Sequence, residues 1–379
     1  MANYHNPVKI YFGMGEVKNL FSILGPSPDI NNILLITGSR SLQESGHLDC
    51  ISEQLKDHEL NILSHVPANP DVNDIWAIKK KTDTYKYDCI LAVGGGSVID
   101  TGKALVALQG NEVASPEDIR NIVQQKTYCC GSSKKCLLIA VPTTAGTGSE
   151  VTSWATLWDK EKGIKYSLES PGLYPEIALV DPSLTLSLPK ELTASSALDA
   201  LSHATEAYWS RNSNEIVRMY ALRSINFIAG NLENLLENLD DLFLREKVAY
   251  GSLFAGLAFS NTKTTACHSI SYPLTLLYGI NHGTAVSLTL GKMLVKNESS
   301  LVDGGELLRA YGVSRAREVQ EFVERVFQKA GLPCRLRDYG VAEFDLPTIA
   351  DKSFTPGRMD NNPVDLDKQY IVNLLQSIY

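Results

Sequence analysis

Short apolar runs rich in Ile, Val and Leu occupy residues 33–37, 60–64, 89–93 and 137–141, and helix-length amphipathic segments lie between them at 41–55, 71–82 and 98–108. A strand buried on both faces reads as a continuous apolar run, and parallel neighbours need a crossover between them. The alternation therefore predicts an α/β, doubly wound, Rossmann-like parallel sheet. Ligands bind such sheets at the carboxyl ends of the strands. Beyond Pro189 the strand signal stops, and helical patterns follow at 191–209, 215–235, 242–257 and 315–330. We expect an α/β domain over residues 1–185 and an all-α domain over 186–379, packed around a cleft. The stretch 160–187 between them is broken by Pro171, Pro175 and Pro182 and holds one more short apolar run at 177–180.

A chain of 379 residues is too long for one small module. Lys plus Arg number 35 against 43 acidic residues, a net charge of −8, which argues against a nucleic-acid partner. The basic run Lys79-Lys80-Lys81 reads as a solvated helix face. No apolar stretch approaches the roughly 20 residues a bilayer span needs, and the start lacks the apolar core of a signal peptide. The expectation is a cytoplasmic protein with no membrane contact. Seven cysteines without a CxxC pair indicate neither a disulfide framework nor a zinc ribbon. Cys129, Cys130 and Cys136 are expected in an exposed loop.

Residues with chemical potential gather in three places. The apolar run 89–93 leads into Gly94-Gly95-Gly96-Ser97 and a helix carrying Asp100. Glycines let the backbone approach a ligand, and the first amides of a helix suit a phosphate. The run 137–141 leads into Pro142-Thr143-Thr144-Ala145-Gly146-Thr147-Gly148-Ser149-Glu150, whose hydroxyls suit phosphate, ribose or carboxamide groups, or merely cap a turn. Third, Asp199 and His203 are four apart and share a helix face, and His268 and His282 follow on or beside apolar segments. A lone buried histidine is ordinarily a core residue, whereas three imidazoles with one carboxylate complete a ligand set for iron, zinc or nickel. With an open position such an ion is a Lewis acid for a substrate oxygen. Glu206 reads as a salt-bridged helix residue in preference to a partner of a metal ligand.

These motifs, in this order, resemble those of the iron-containing (group III) alcohol dehydrogenases, over residues 7–363. The resemblance implies a dehydroquinate synthase-like architecture, an NAD or NADP cofactor, and hydride transfer in the cleft. It implies that Asp199, His203, His268 and His282 hold a divalent ion, with Fe2+ the first expectation and Zn2+ or Ni2+ the alternatives. It implies cofactor contacts from Asn69, Gly94, Gly95, Gly96, Ser97, Asp100, Thr143, Thr144, Thr147 and Lys165. It also implies a homodimer or higher homo-oligomer.

Three departures from the family pattern refine the expectation. Where many members carry Asp after the first strand, this chain has Gly38-Ser39-Arg40. A carboxylate would repel a 2′-phosphate and an Arg would receive one, so NADPH is favoured over NADH. Where many members have a proton-relaying histidine four residues after the third ligand, this chain has Tyr272, with Pro273 bounding the turn. Lys263 stands where members usually carry something small, with Thr262, Thr264 and Thr265 around it. Together with Ala155 to Asp159, this pattern is closest to the phosphonoacetaldehyde reductase branch, which implies reduction of phosphonoacetaldehyde to 2-hydroxyethylphosphonate. Lys263 would anchor the anionic head and Tyr272 would donate to the alkoxide. The alternatives are a simple-alcohol or diol dehydrogenase of the same family, a dehydroquinate-synthase-like lyase, and a non-catalytic nucleotide-binding protein.

Overall fold

The structure is a computed structural model that describes residues 3–25, 30–38, 41–128 and 136–379. The chain divides into a sheet unit, Asn6–Thr144 with Ser149–Ser187, and a helical unit, Leu188–Tyr379 with Met1–His5 and Ala145–Gly148. Among the described residues no helix is long and apolar enough to cross a membrane.

The sheet unit contains β1 (Lys9–Phe12), β2 (Asn32–Thr37), β3 (Glu59–Leu63), β4 (Cys89–Gly94), β5 (Leu137–Pro142), β6 (Trp154–Asp159), β7 (Ile164–Glu169) and β8 (Ile177–Val180). Six of them form one sheet in the order β1-β8-β5-β4-β2-β3, and every pairing in it is parallel. Side chains alternate across a strand, so each apolar run feeds two cores. Leu34, Ile36, Ile90, Ala92, Leu138 and Ala140 pack into one. Ile33, Leu35, Leu91, Val93, Ile139 and Val141 pack into the other. From β2 the chain goes outward to β3, then returns to β4 on the other flank of β2 and continues to β5. The carboxyl ends of β2 and β4 thus flank a topological switch point, where open parallel sheets bind ligands.

Several local expectations are corrected. Residues 41–55 form two helices, Ser41–Glu44 and His47–Gln54, because Gly46 between them is left-handed at φ 74°. Lys79 is buried, not solvated, and its ammonium lies 2.5 Å from an Asp83 carboxylate oxygen. Cys136 is buried at the start of β5 rather than exposed, and Cys129 and Cys130 lie outside the described residues. Among the elements without a clear sequence signal are the four-residue strand β1, the β6–β7 antiparallel hairpin, and the Pro116–Gln125 helix with its Ser115/Asp118 capping box.

The helical unit is organised by Lys190–Trp209, which packs against Glu215–Glu237, Leu242–Phe259 and His282–Asn297. From Thr193 to Trp209 it is buried at every position except Ser196. A helix apolar or small all round is a core helix, and Ala194, Ala197, Ala200, Ala204 and Ala207 let its neighbours come close. The helix Ala266–Tyr278 contains Pro273 in its interior, so the proline does not bound a turn as expected. It cannot donate to the Ser269 carbonyl, and packing holds the helix across that gap.

Candidate functional site

Asp199, His203 and Glu206 fall on one face of the central helix at spacings of four and three residues. His268 sits in the first turn of Ala266–Tyr278, and His282 is the first residue of His282–Asn297. Gly283 makes the last approach possible. A Cβ there would overlap the Ser195 carbonyl oxygen and lie 3.0 Å from Asp199 Cβ, so only glycine lets this helix start against the central one. Ligand atoms of Asp199, His268 and His282 then lie within 4.8 Å of one another. His203 adjoins them, with Nδ1 3.9 Å from Asp199 Oδ2 and its ring 4.3 Å from that of His268. Phe259 stacks on its other face, with ring centroids 4.1 Å apart. The structure therefore brings Asp199, His268 and His282 together as a possible ligand set, with His203 beside them but outside that group.

Asp199 Oδ1, His203 Nδ1 and His268 Nε2 are buried without a hydrogen-bond partner, although Asp199 Oδ1 and His268 Nε2 lie 3.4 Å apart. Burial pushes the Asp199 carboxyl up, but His203, His268 and His282 outweigh it and hold the group well below the usual carboxylate range. Burial lowers His203 to about 4 against the pull of Asp199. His268 suffers the same burial, yet Glu206 and Asp199 lift it to about 10. Acidic groups that draw a proton this strongly onto an imidazole would favour any cation held among them.

Glu206 is salt-bridged as expected, and its partner is His268, itself an expected metal ligand. It is fully buried, and its Oε2 pairs with His268 Nδ1. Its Oε1 accepts from Thr265 Oγ1 at 2.7 Å, Thr265 N at 3.2 Å, Cys267 N at 2.8 Å and His268 N at 3.4 Å. The signal in the sequence was its place one turn beyond His203. Its partner, 62 residues away, was invisible there.

Tyr272 is buried one turn after His268, and its ring stacks on His282 with centroids 6.0 Å apart and planes 8° from parallel. Lys263 lies in the loop after Leu242–Phe259 and takes the left-handed conformation at φ 65°. Its N–H donates to the Phe259 carbonyl at 2.8 Å, and its carbonyl accepts from Thr262 Oγ1 at 2.9 Å. Asn361 Nδ2 donates to the carbonyls of Thr262 and Thr264, pinning the loop on both sides of Lys263. The Thr264 hydroxyl is buried without a partner.

In the sheet unit Gly38 follows β2, and Gly94, Gly95, Gly96 and Ser97 carry β4 into the helix Gly96–Ala107. A Cβ on Gly94 would come 2.5 Å from the Val98 side chain, and one on Gly95 would come 3.3 Å from Thr144. Thr143 N donates to the Gly94 carbonyl at 3.0 Å, so the two polar loops touch. Asn69, left-handed at φ 51°, donates its N–H to Ser97 Oγ at 3.0 Å. Asp100 accepts from Ser149 Oγ at 2.6 Å and Thr156 N at 2.8 Å. Lys165 on β7 is opposite Trp158 in the hairpin. Thr147 belongs to the Ala145–Gly148 segment of the helical unit, where Gly146 and Gly148 are needed for packing against Ser196 and Gly256. Ser39 and Arg40 lie outside the described residues. Sequence reading missed Lys103, a wholly buried lysine whose ammonium donates to Thr152 Oγ1 at 2.9 Å and the Trp154 carbonyl at 2.8 Å.

Two family models match the chain. Residues 7–182 match the one described as iron-containing alcohol dehydrogenase, and residues 193–379 match the C-terminal domain of the Fe-containing alcohol dehydrogenase family. A 1,3-propanediol dehydrogenase of Klebsiella pneumoniae is 30% identical over 100% of this chain and 99% of its own length. A phosphonoacetaldehyde reductase of Streptomyces viridochromogenes is 30% identical over 82% of this chain and 80% of its own. The crystal structure of a sulfoacetaldehyde reductase from Bifidobacterium kashiwanohense in complex with NAD+ superposes with a TM-score of 0.88 at 28% identity, covering 100% of this chain and 98% of that one.

Proposed function

The chain belongs to the iron-containing alcohol dehydrogenase family, and from that premise we propose that it reduces a short aldehyde with an anionic head group, namely phosphonoacetaldehyde to 2-hydroxyethylphosphonate, using NADPH. The family consists of oxidoreductases that act on alcohols and aldehydes with a metal and NAD(P). The observation that carries the reading is the cluster of buried Asp199 and His268 with half-buried His282, joined by His203.

These residues fit a divalent cation because three of their buried ligand atoms have no other partner. Asp199, His203, His268 and His282 would hold it, with Fe2+ the first choice. An ion there supplies Lewis acidity, drawing charge from a carbonyl oxygen as it becomes an alkoxide. Gly94 to Ser97 fit a pyrophosphate, since the first amides of a twelve-residue helix face the carboxyl edge of β4. Asn69, Asp100, Thr143, Thr144, Thr147 and Lys165 are the further cofactor residues in this reading. A bound dihydronicotinamide supplies the hydride. Gly38, with Ser39 and Arg40 beside it in sequence, leaves the 2′-phosphate of NADPH without a repelling carboxylate.

The remaining residues handle the substrate. Tyr272, beside His282, donates a hydrogen bond to the alkoxide oxygen while water delivers the proton, so the aldehyde gains one hydride and one proton in all. Lys263 receives the anionic head, and the unpartnered Thr264 hydroxyl in the same loop is a second donor. Two of the relatives support an anionic substrate, since each is named for an acetaldehyde carrying a phosphonate or a sulfonate. We carry forward a cytoplasmic homo-oligomer, dimeric or higher, with light scattering as its check.

The test is a panel of phosphonoacetaldehyde, sulfoacetaldehyde and propionaldehyde against Fe2+-reconstituted enzyme with NADPH and NADH. Phosphonoacetaldehyde with NADPH should give the highest kcat/KM. Lys263→Ala should raise KM for the two anions about 10-fold or more, the worth of a charged hydrogen bond, and spare propionaldehyde. Equal effects on all three aldehydes would remove Lys263 from this role.

A further inference from the structure

We infer that Glu206 is a positioning residue that fixes the His268 tautomer, keeping the proton on Nδ1 so that Nε2 is left as a lone-pair donor toward a cation. The inference rests on the reading of the cluster as a metal site and adds a residue to it.

The argument starts from the two ends of the Glu206 carboxylate. Oε1 is surrounded by donors only: the amides of Thr265, Cys267 and His268 and the hydroxyl of Thr265. The Thr265 hydroxyl in turn accepts from Trp209 Nε1 at 2.7 Å, so its own proton is directed to Glu206. Oε1 must therefore be an acceptor, and it ties the start of Ala266–Tyr278 to the central helix. Oε2 pairs with His268 Nδ1. An ionised carboxylate has no proton to give, so Nδ1 must carry one. Nε2 lies 3.4 Å from Asp199 Oδ1, inside the ligand cluster, so the proton it carries toward that carboxylate in the metal-free protein is the one a cation would displace. One carboxylate thus sets both where the ring stands and which nitrogen faces the ion. His282 Nδ1, for comparison, lies 3.4 Å from the Ser271 hydroxyl.

The substitution Glu206→Gln separates this role from helix capping. The donors around Oε1 select the amide oxygen for that end, so the amide NH2 is turned to His268. Nδ1 must then accept, and the ring proton moves to Nε2, where it blocks ligation. A residue that merely capped the helix would tolerate Gln, because the cap is retained.

The test is a Zn2+ titration of metal-free full-length protein by chelator competition, together with nitrogen-15 histidine spectra of the same samples. Wild type should bind one Zn2+ per chain and, once loaded, show His268 with the proton on Nδ1 and none on Nε2. Glu206→Gln should bind Zn2+ about 10- to 100-fold more weakly, with the His268 proton on Nε2 and the melting temperature of the metal-free protein little changed. Unchanged affinity with the proton still on Nδ1 would overturn the inference and leave the metal site standing. Failure of wild type to bind Zn2+ would instead remove the metal site itself. If Glu206→Gln does not fold, Glu206→Asp should keep the Nδ1 proton with a smaller loss of affinity, and an Nε2 proton in that variant would overturn the inference.

Discussion

The two units hold their polar groups in opposite ways. In the sheet unit the buried charges answer each other or the backbone. Lys103 reaches Thr152 and Trp154, Asp100 reaches Ser149 and Thr156, and Arg120 is bidentate to Asp159. Burial lowers Lys103 to about 8 against the pull of Asp100 and Glu150, and raises Glu150 to about 7. In the helical unit Asp199, His203 and His268 converge and leave buried atoms without partners. The first arrangement is a finished scaffold whose glycine loops shape a ligand surface. The second leaves a deficit of hydrogen-bond partners that, in the reading we propose, a cation completes.

The largest expected effect tests that deficit. Asp199→Ala should lower aldehyde reduction at least about 1,000-fold, because a Lewis acid is worth several kcal/mol of barrier. Metal-free Asp199→Ala should be less stable to urea than metal-free wild type, because the imidazoles that hold this carboxylate below its usual range stabilise the fold through it, while Zn2+ should raise the stability of wild type alone. Equal stabilisation of both proteins by Zn2+ would show that Asp199 serves the fold as the sheet unit's charges do. Next in size, Lys103→Met should destabilise the protein by about 2 kcal/mol, leaving the Thr152 and Trp154 oxygens without their donor, with no change in Zn2+ affinity. A changed metal affinity would break the separation between the two units. The smallest effect is on cofactor choice. Arg40→Ala should reduce the NADPH to NADH preference about 10-fold, the loss of one charged contact to a phosphate, and a constant ratio would contradict the assigned preference.

How much of this was legible in the sequence follows from where each signal lies. The strands at the centre of the sheet are buried on both faces and announce themselves as apolar runs. β1 is a four-residue strand with a partly exposed pattern, and the β6–β7 hairpin mixes Trp154, Lys165 and Glu169 with apolar residues, so neither stood out. In the site, Asp199 and His203 were readable because helical spacing places them on one face. His268 and His282 were assigned by resemblance, since only the fold shows that Gly283 lets them meet Asp199. The identity of the Glu206 partner was not readable because His268 lies 62 residues away on another helix. The reach of Arg40 and the surroundings of Cys129 were outside the described residues.

The central claim is that a cation in the Asp199, His203, His268 and His282 cluster is required for turnover. It is tested most directly by stripping the protein of metal under anaerobic conditions and following NADPH oxidation by phosphonoacetaldehyde while Fe2+ is added back. The account predicts negligible turnover without metal and a rise that saturates at one Fe2+ per chain. Undiminished turnover by fully metal-free protein would contradict it.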